Sequence, residues 1–271
     1  MNWKRFGAVL AAAALCLSAL AGCSGGDKQS SAGDGDLLAQ IQAKGEITVA
    51  LEGTWAPWGY HDEDNNLVGY DVEVAQAIAG KLGVKAVFVE GEWDGLLAGI
   101  ESGRYDIMVN GVDIDESRQQ KYDFSTPYAY NRTVVITRED DNSIQSMEDL
   151  DGKTTANTLN STYANVAEGY GANVTSVDDF IQTIELLTSG RIDATLNAEV
   201  SFYDYIAAQP NAGIKIACVD PESTQVAIPM HKGEASDALR SAIDQALAEL
   251  AEDGTLSNLS MKYFGADISH P

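Results

Sequence analysis

Along almost the whole chain, short apolar runs alternate with longer stretches in which apolar residues recur at helical spacing. Leu37 to Lys44 predicts a short helix closed by Gly45, and Glu46 to Glu52 predicts a strand. An aromatic loop, Gly53 to Tyr60, follows that strand. The polar turn His61 to Asn66 folds Trp58-Gly59-Tyr60 back on Leu67 to Tyr70 as a hairpin-like excursion. Asp71 stands where a cap is expected for a helix over Val72 to Leu82, with Val74, Ala77, Ile78 and Ala79 on one face. Val84 to Glu90 reads as a second strand, and a helix runs from Trp93 to near Gly103. Next comes Ile107-Met108-Val109, an apolar run short enough for a buried strand, ending at Asn110-Gly111. Strand and helix in turn predict a parallel sheet with right-handed crossovers.

A second series of the same kind follows. Thr133 to Arg138 is a β-branched run suited to crossing between two bodies. Ile144 to Leu150 predicts a short helix capped by Ser143, and Lys153 to Leu159 a strand ending at Asn160-Ser161-Thr162. Helices are expected over Tyr163 to Tyr170, Phe180 to Ser189, Glu199 to Ala208 and Ala235 to Asp253, with an amphipathic tail to Phe264. Between them lie strands at Val174 to Val177, Ile192 to Asn197 and Ile214 to Val219, and a further extended piece at Thr224 to Pro229. Each series carries a GRxD turn that feeds a strand, Gly103 to Asp106 in one and Gly190 to Asp193 in the other. The expected fold class is therefore α/β: a two-lobed clamshell, each lobe a mostly parallel sheet flanked by helices, joined by two hinge strands. One continuous doubly wound domain is the alternative that pattern alone leaves open. The first lobe takes residues 37–135 and 220–271, the second 136–219, with hinges near Thr133 to Arg138 and Ala217 to Pro221.

The beginning of the chain has a different character. Lys4 and Arg5 precede an apolar stretch, Ala8 to Leu20, and small residues lead to Cys23. This predicts a secretory signal over residues 1–22, too short to span a membrane as a helix. It resembles the bacterial lipobox, which implies lipidation of Cys23. Residues 23–36, rich in Ser, Gly and Asp, predict a flexible tether spanning about 20 Å. Lipidation of Cys23 leaves Cys218 alone, so no disulfide is expected, and three scattered histidines give a metal little to build on. A formal charge of −24 argues against nucleic acid or an anionic membrane surface as partner and favours a soluble monomer.

Candidate chemistry concentrates after Gly111. Glycine at a strand's carboxyl end lets a small molecule approach the backbone, and crevices at such ends are where open α/β sheets bind ligands. Seven residues on, Arg118 offers a planar fork suited to a carboxylate. Taken alone, Arg118 reads as a surface arginine paired with Asp115 or Glu116.

The wider pattern changes that reading. Gly53 to Trp58, Gly69 to Ala75, Trp93 to Leu96, Ser117 to Tyr128, Asp149 to Lys153 and Gly190 to Ala194, in this order, resemble the solute-binding lipoproteins of polar amino-acid ABC importers. The resemblance implies the type II periplasmic binding protein fold, no cofactor and no catalysis. It implies a partner permease whose ATPase subunits are separate chains, and no P-loop motif occurs here. It also implies residue roles. Arg118 would clamp a ligand carboxylate with help from Ser161 and Thr162. Trp55 and Trp93 would sandwich the ligand side chain, and Asn110 and Gly111 would accept from its amino group. A zwitterion entering a dry cleft needs such partners. The family usually places an aspartate where Ala198 stands. Asp113 is the expected substitute, with Glu199 the less favoured one.

Asn157 to Tyr163 together with Tyr170 to Ala172 is similar to the cystine-binding branch, whereas extra acids at the cleft would suit a basic amino acid. Two other functions compete. The same fold resembles extracytoplasmic cyclohexadienyl dehydratases, with Glu199 as an acid, and a receptor's ligand-sensing module is the third. The third would require a later apolar stretch of about 20 residues, which the sequence lacks.

Overall fold

The computed structural model describes residues 36–271. The predicted signal, Cys23 and the tether through residue 35 lie outside the described residues. Helix α1 (Leu37–Lys44) starts at Asp36, whose side chain accepts from the Ala39 N–H, and stops at Gly45 with φ 74°. Glycine at that left-handed position ends a helix without a Cβ clash.

The first lobe continues with β1 (Glu46–Leu51), a small antiparallel sheet of β2 (Thr54–Trp55), β3 (Gly59–His61) and β4 (Leu67–Val68), then α2 (Tyr70–Leu82), β5 (Lys85–Glu90), α3 (Trp93–Glu101), β6 (Ile107–Met108), α4 (Glu116–Gln119) and β7 (Tyr122–Phe124). The long β8 (Ala129–Arg138) leads out. Then come β9 (Thr154–Thr158), α5 (Thr162–Gly169), β10 (Asn173–Val177), α6 (Phe180–Thr188), β11 (Ala194–Ala198) and α7 (Glu199–Ala208). The long β12 (Ile214–Val226) leads back to β13 (Pro229–His231), α8 (Asp237–Glu252) and α9 (Thr255–Phe264).

Two five-stranded sheets result, ordered β5-β1-β6-β13-β7 and β10-β9-β11-β8-β12. In each, the first three strands and the last run parallel, and the fourth, β13 or β8, runs antiparallel between its neighbours. In the first sheet both faces are covered, as parallel sheets require. Val49 and Ile107 join the main core with Val74 and Ile78 of α2. Their neighbours Ala50 and Met108 turn to the other face, against Trp93, Leu96 and Ile100 of α3. β8 and β12 pair from Ala129 with Val226 to Arg138 with Ile214, and the register shifts between Ile216 and Cys218 and between Val219 and Ser223.

Three local expectations fail for physical reasons. Asp71 is not a cap, because the helix begins earlier, at Tyr70 after Gly69. Its carboxylate is buried instead, accepting from the Tyr128 hydroxyl at 2.7 Å. The helix expected over Ile144 to Leu150 shrinks to a 3-10 turn, Met147–Leu150, because Ser146 and Asp149 form a capping box there in place of Ser143. Thr224 is not the start of a separate strand, since β12 runs unbroken through it. Cys218 on β12 is half-buried, its Sγ 3.8 Å from Met147 Sδ.

Candidate functional site

The carboxyl ends of the parallel strands of both sheets converge on one cavity. From the first sheet, the end of β1 supplies Glu52, Thr54 and Trp55, the start of α3 supplies Trp93, and the end of β6 supplies Gly111 and Asp113. From the second, the end of β9 and start of α5 supply Thr158, Ser161, Thr162 and Tyr163. The start of α6 adds Asp179 and Phe180, and β11 adds Asn197. Ser161 caps α5, accepting from the Ala164 N–H at 3.1 Å, and Asp179 caps α6, accepting from Gln182 N–H at 2.9 Å. Both helices thus open toward the cavity with their positive ends.

Aromatic groups frame it. Trp55 stacks on Trp58 at 5.4 Å and meets the Tyr163 ring edge-on at 6.4 Å, across the two lobes. Gly111 takes a φ of 57°, and a Cβ there would lie 2.6 Å from the Trp55 ring, so only glycine fits. The indole Nε1 atoms of Trp55 and Trp93 and Oδ1 of Asp113 are buried without a protein partner. Unpaired buried polar atoms on a cavity wall are costly, which is the mark of a surface built to meet a polar ligand.

Three carboxylates, Glu52, Asp113 and Asp179, stand on this wall. Burial pushes the Glu52 carboxyl up to about 7; the Asn110 hydrogen bond opposes the rise, and Glu92 and Asp179 add to it. Burial raises the Asp113 carboxyl as well, against the pull of the Thr224 hydroxyl, the Arg118 charge and the Thr162 hydroxyl. An isolated bridge to Val226 ties Asp113 to β12.

Of the residues singled out from sequence, Trp55, Trp93, Gly111, Asp113, Ser161 and Thr162 meet on the cavity wall. Arg118 stands directly behind them. It is buried, its Nη1 donating to the Asp113 carbonyl and to Thr162 Oγ1, both at 2.9 Å, and its Nη2 to the Asn160 carbonyl at 3.1 Å. Its Nε pairs with Asp115 at 3.2 Å, and its guanidinium lies 5.3 Å over the Trp93 ring. Arg118 therefore joins the two lobes and faces an adjoining groove with Asp94, Lys121 and Asn160. Asn110 is one step removed. Its amide exchanges hydrogen bonds with Glu52, accepting from the Glu52 N–H at 2.9 Å and donating to the carboxylate at 2.8 Å. Glu199 is held by Arg132 at 2.6 Å and does not reach the wall.

Sequence reasoning missed Glu52, Asp179 and Phe180. Glu52 follows a strand of apolar residues, the position in which Asn110 follows β6, and that parallel was the available signal. Asp179-Phe180 is a cap followed by a helix start, which carries no functional signal of its own.

Two sheets with facing strand ends, a cavity between them and an arginine crossing the gap define a two-lobed solute-binding protein of the type II periplasmic binding fold. Residues 47–266 match the family model of the bacterial extracellular solute-binding proteins, family 3, and the chain belongs to that family. It is 42% identical to the L-cystine-binding protein TcyA of Bacillus subtilis, over 93% of this chain and 95% of the relative. Among solved structures, an ancestral arginine-binding protein bound to arginine superposes with a TM-score of 0.76 at 36% identity, covering 82% of this chain and 99% of that one. The L-cystine solute receptor of Neisseria gonorrhoeae, in an unliganded open conformation, is 41% identical over 88% of this chain and all of its own, yet its TM-score is 0.60. In this structure Arg118 bridges the two lobes, donating to Thr162 and to the Asn160 carbonyl.

Proposed function

We propose that this chain captures a free amino acid between its lobes and delivers it to an ABC importer, with L-cystine as the leading ligand. The observation that carries this is the cavity wall, which combines three carboxylates with four aromatic rings beside a buried arginine. One carboxylate suffices for the ammonium of a simple amino acid. Further carboxylates suit a ligand with a second cationic group, which both cystine and the basic amino acids carry. The likeness to proteins named for L-cystine binding favours cystine. In this reading Arg118 exchanges one of its protein acceptors for the ligand carboxylate, supported by Ser161 and Thr162. Trp55 and Trp93 flank the ligand side chain. Gly111 and Asp113 receive the near ammonium, and Glu52 and Asp179 receive the far one. Asn110 acts through Glu52, and Glu199 takes no part.

The lobes run over residues 37–135 with 220–271 and over 136–219, and they close around the ligand by bending at β8 and β12. A lipid on Cys23 holds the monomer outside the membrane, where the closed form docks on a permease with separate ATPase subunits. Catalysis is not part of this role.

A thermal-shift screen against all amino acids, cystine and prephenate tests the proposal. A ligand at a hundred times its dissociation constant adds about 2.7 kcal/mol of stability. A rise in melting temperature with cystine or a small group of amino acids supports it. No shift with any amino acid, together with consumption of prephenate, refutes it in favour of the dehydratase.

A further inference from the structure

Beside the cavity, the two lobes touch through a pair of side chains that no ligand need meet. Asn160 Nδ2 donates to Asp94 Oδ1 at 3.0 Å. Asp94 follows Trp93 at the start of α3, and Asn160 precedes Ser161 at the end of β9, so the pair flanks the cavity from opposite lobes. Both line the adjoining groove and neither lines the cavity itself. Asn160 has a φ of 56°, a left-handed conformation that side-chain-bearing residues rarely adopt and that asparagine tolerates best. Glycine would take the same backbone without offering the amide. In this conformation the Asn160 carbonyl accepts from Arg118 Nη2 at 3.1 Å while the side chain reaches Asp94.

From this geometry we infer that Asp94 and Asn160 form a latch that holds the closed clamshell and sets how slowly a bound amino acid leaves. The inference rests on the capture role proposed above, but the latch itself is ligand-independent. A contact made only in the closed form adds to the stability of that form alone. Its loss therefore speeds release while leaving capture by the open form unchanged. Asn160 is a positioning residue here, acting through Asp94 and through Arg118.

The test uses full-length Asn160→Gly, Asp94→Ala and the double variant. Glycine keeps the left-handed backbone and the carbonyl that Arg118 needs. Stopped-flow tryptophan fluorescence with L-cystine and L-arginine as probes measures association and release. For the probe that binds, each single variant is expected to release about threefold to tenfold faster, the size of one modest hydrogen bond, with association within twofold of wild type. The double variant is expected to match the single ones, since each removes the same contact. Unchanged release, or independent effects that multiply in the double variant, overturns the latch. A second arm needs no ligand. Spin labels at Asp64→Cys and Glu168→Cys, one on each lobe, in a Cys16→Ser, Cys23→Ser, Cys218→Ser background report the lobe-to-lobe distance. A shift toward longer distances in Asn160→Gly supports the latch, and an unchanged distribution overturns it. If neither probe binds wild type, the capture role with these ligands fails and the distance measurement alone decides the latch.

Discussion

Glu52 is the residue at which binding and stability should pull in opposite directions. Its carboxyl rises from an ordinary 4.5 to about 7 because folding buries it, and its neighbours Glu92 and Asp179 add to the rise. The sign follows from proton counting. Below about pH 4.5 the group is protonated both folded and unfolded and costs nothing. Between 4.5 and 7 the folded form holds the proton that the unfolded chain gives up, so stability falls as pH rises through this window. Above 7 the full cost remains, on the order of 3 kcal/mol, an upper figure because one side of the carboxyl faces the cavity. Glu52→Gln removes the charge while its amide oxygen can still accept from Asn110 Nδ2, which lies 2.8 Å from Glu52 Oε2. The variant should melt with wild type near pH 4.5 and progressively above it toward pH 8, by roughly 6–12 °C at about 2–4 °C per kcal/mol for a domain of this size. Calorimetry at fixed salt, without added ligand, measures this. The same substitution should weaken a ligand whose cationic group needs the carboxylate by about tenfold to a hundredfold at pH 8, read by titration calorimetry. A stability difference constant from pH 4.5 to 8 would refute the assignment of a buried, proton-holding Glu52.

The other expectations are simpler. Arg118→Lys should lower amino-acid affinity by about tenfold to a hundredfold in titration calorimetry, because an ammonium cannot reproduce the fork that reaches Asp113, Thr162 and Asn160. Gly111→Ala should cost about 1–3 kcal/mol in denaturant unfolding, from the φ of 57° alone, and should also displace Trp55 and weaken binding. Asp113→Ala should abolish binding and Glu199→Ala should spare it, since Glu199 is engaged by Arg132; the reverse pattern would refute the role given to Asp113. Ser161→Ala should lose about 1 kcal/mol of stability as the cap of α5 disappears.

Regular features of the fold were legible in sequence because they rest on local rules. The helix from Leu37 to Lys44 was readable from its apolar spacing and from Gly45, and α7 from the break at Asn197-Ala198-Glu199. Asp71 misled because an aspartate before an apolar run looks like a cap, whereas here its carboxylate is used 57 residues away, at Tyr128. The register shifts in β12 are set by pairing with β8 across the whole second lobe, and no local signal announces them. At the site, Trp55 and Trp93 were legible through resemblance to a family, and Asp113 through this sequence's departure from it at Ala198. Glu52 was not, because an acid after a strand reads as a surface charge until its partner Asn110, 58 residues on, is placed beside it.

The paired strands β8 and β12 carry a mechanical consequence. Their ladder runs from Ala129 to Arg138 and slips twice on β12, between Ile216 and Cys218 and between Val219 and Ser223. A two-strand ribbon of this kind resembles a leaf spring: stiff within its own plane, compliant across it, and already slack at the slipped segments. Swinging the lobes apart need break few of its rungs. Away from the ribbon, the lobes touch where Arg118, Asn160 and Asp94 meet and where Trp55 meets Tyr163. Substitutions there should therefore retune how tightly the clamshell grips its cargo without weakening the fold that carries it.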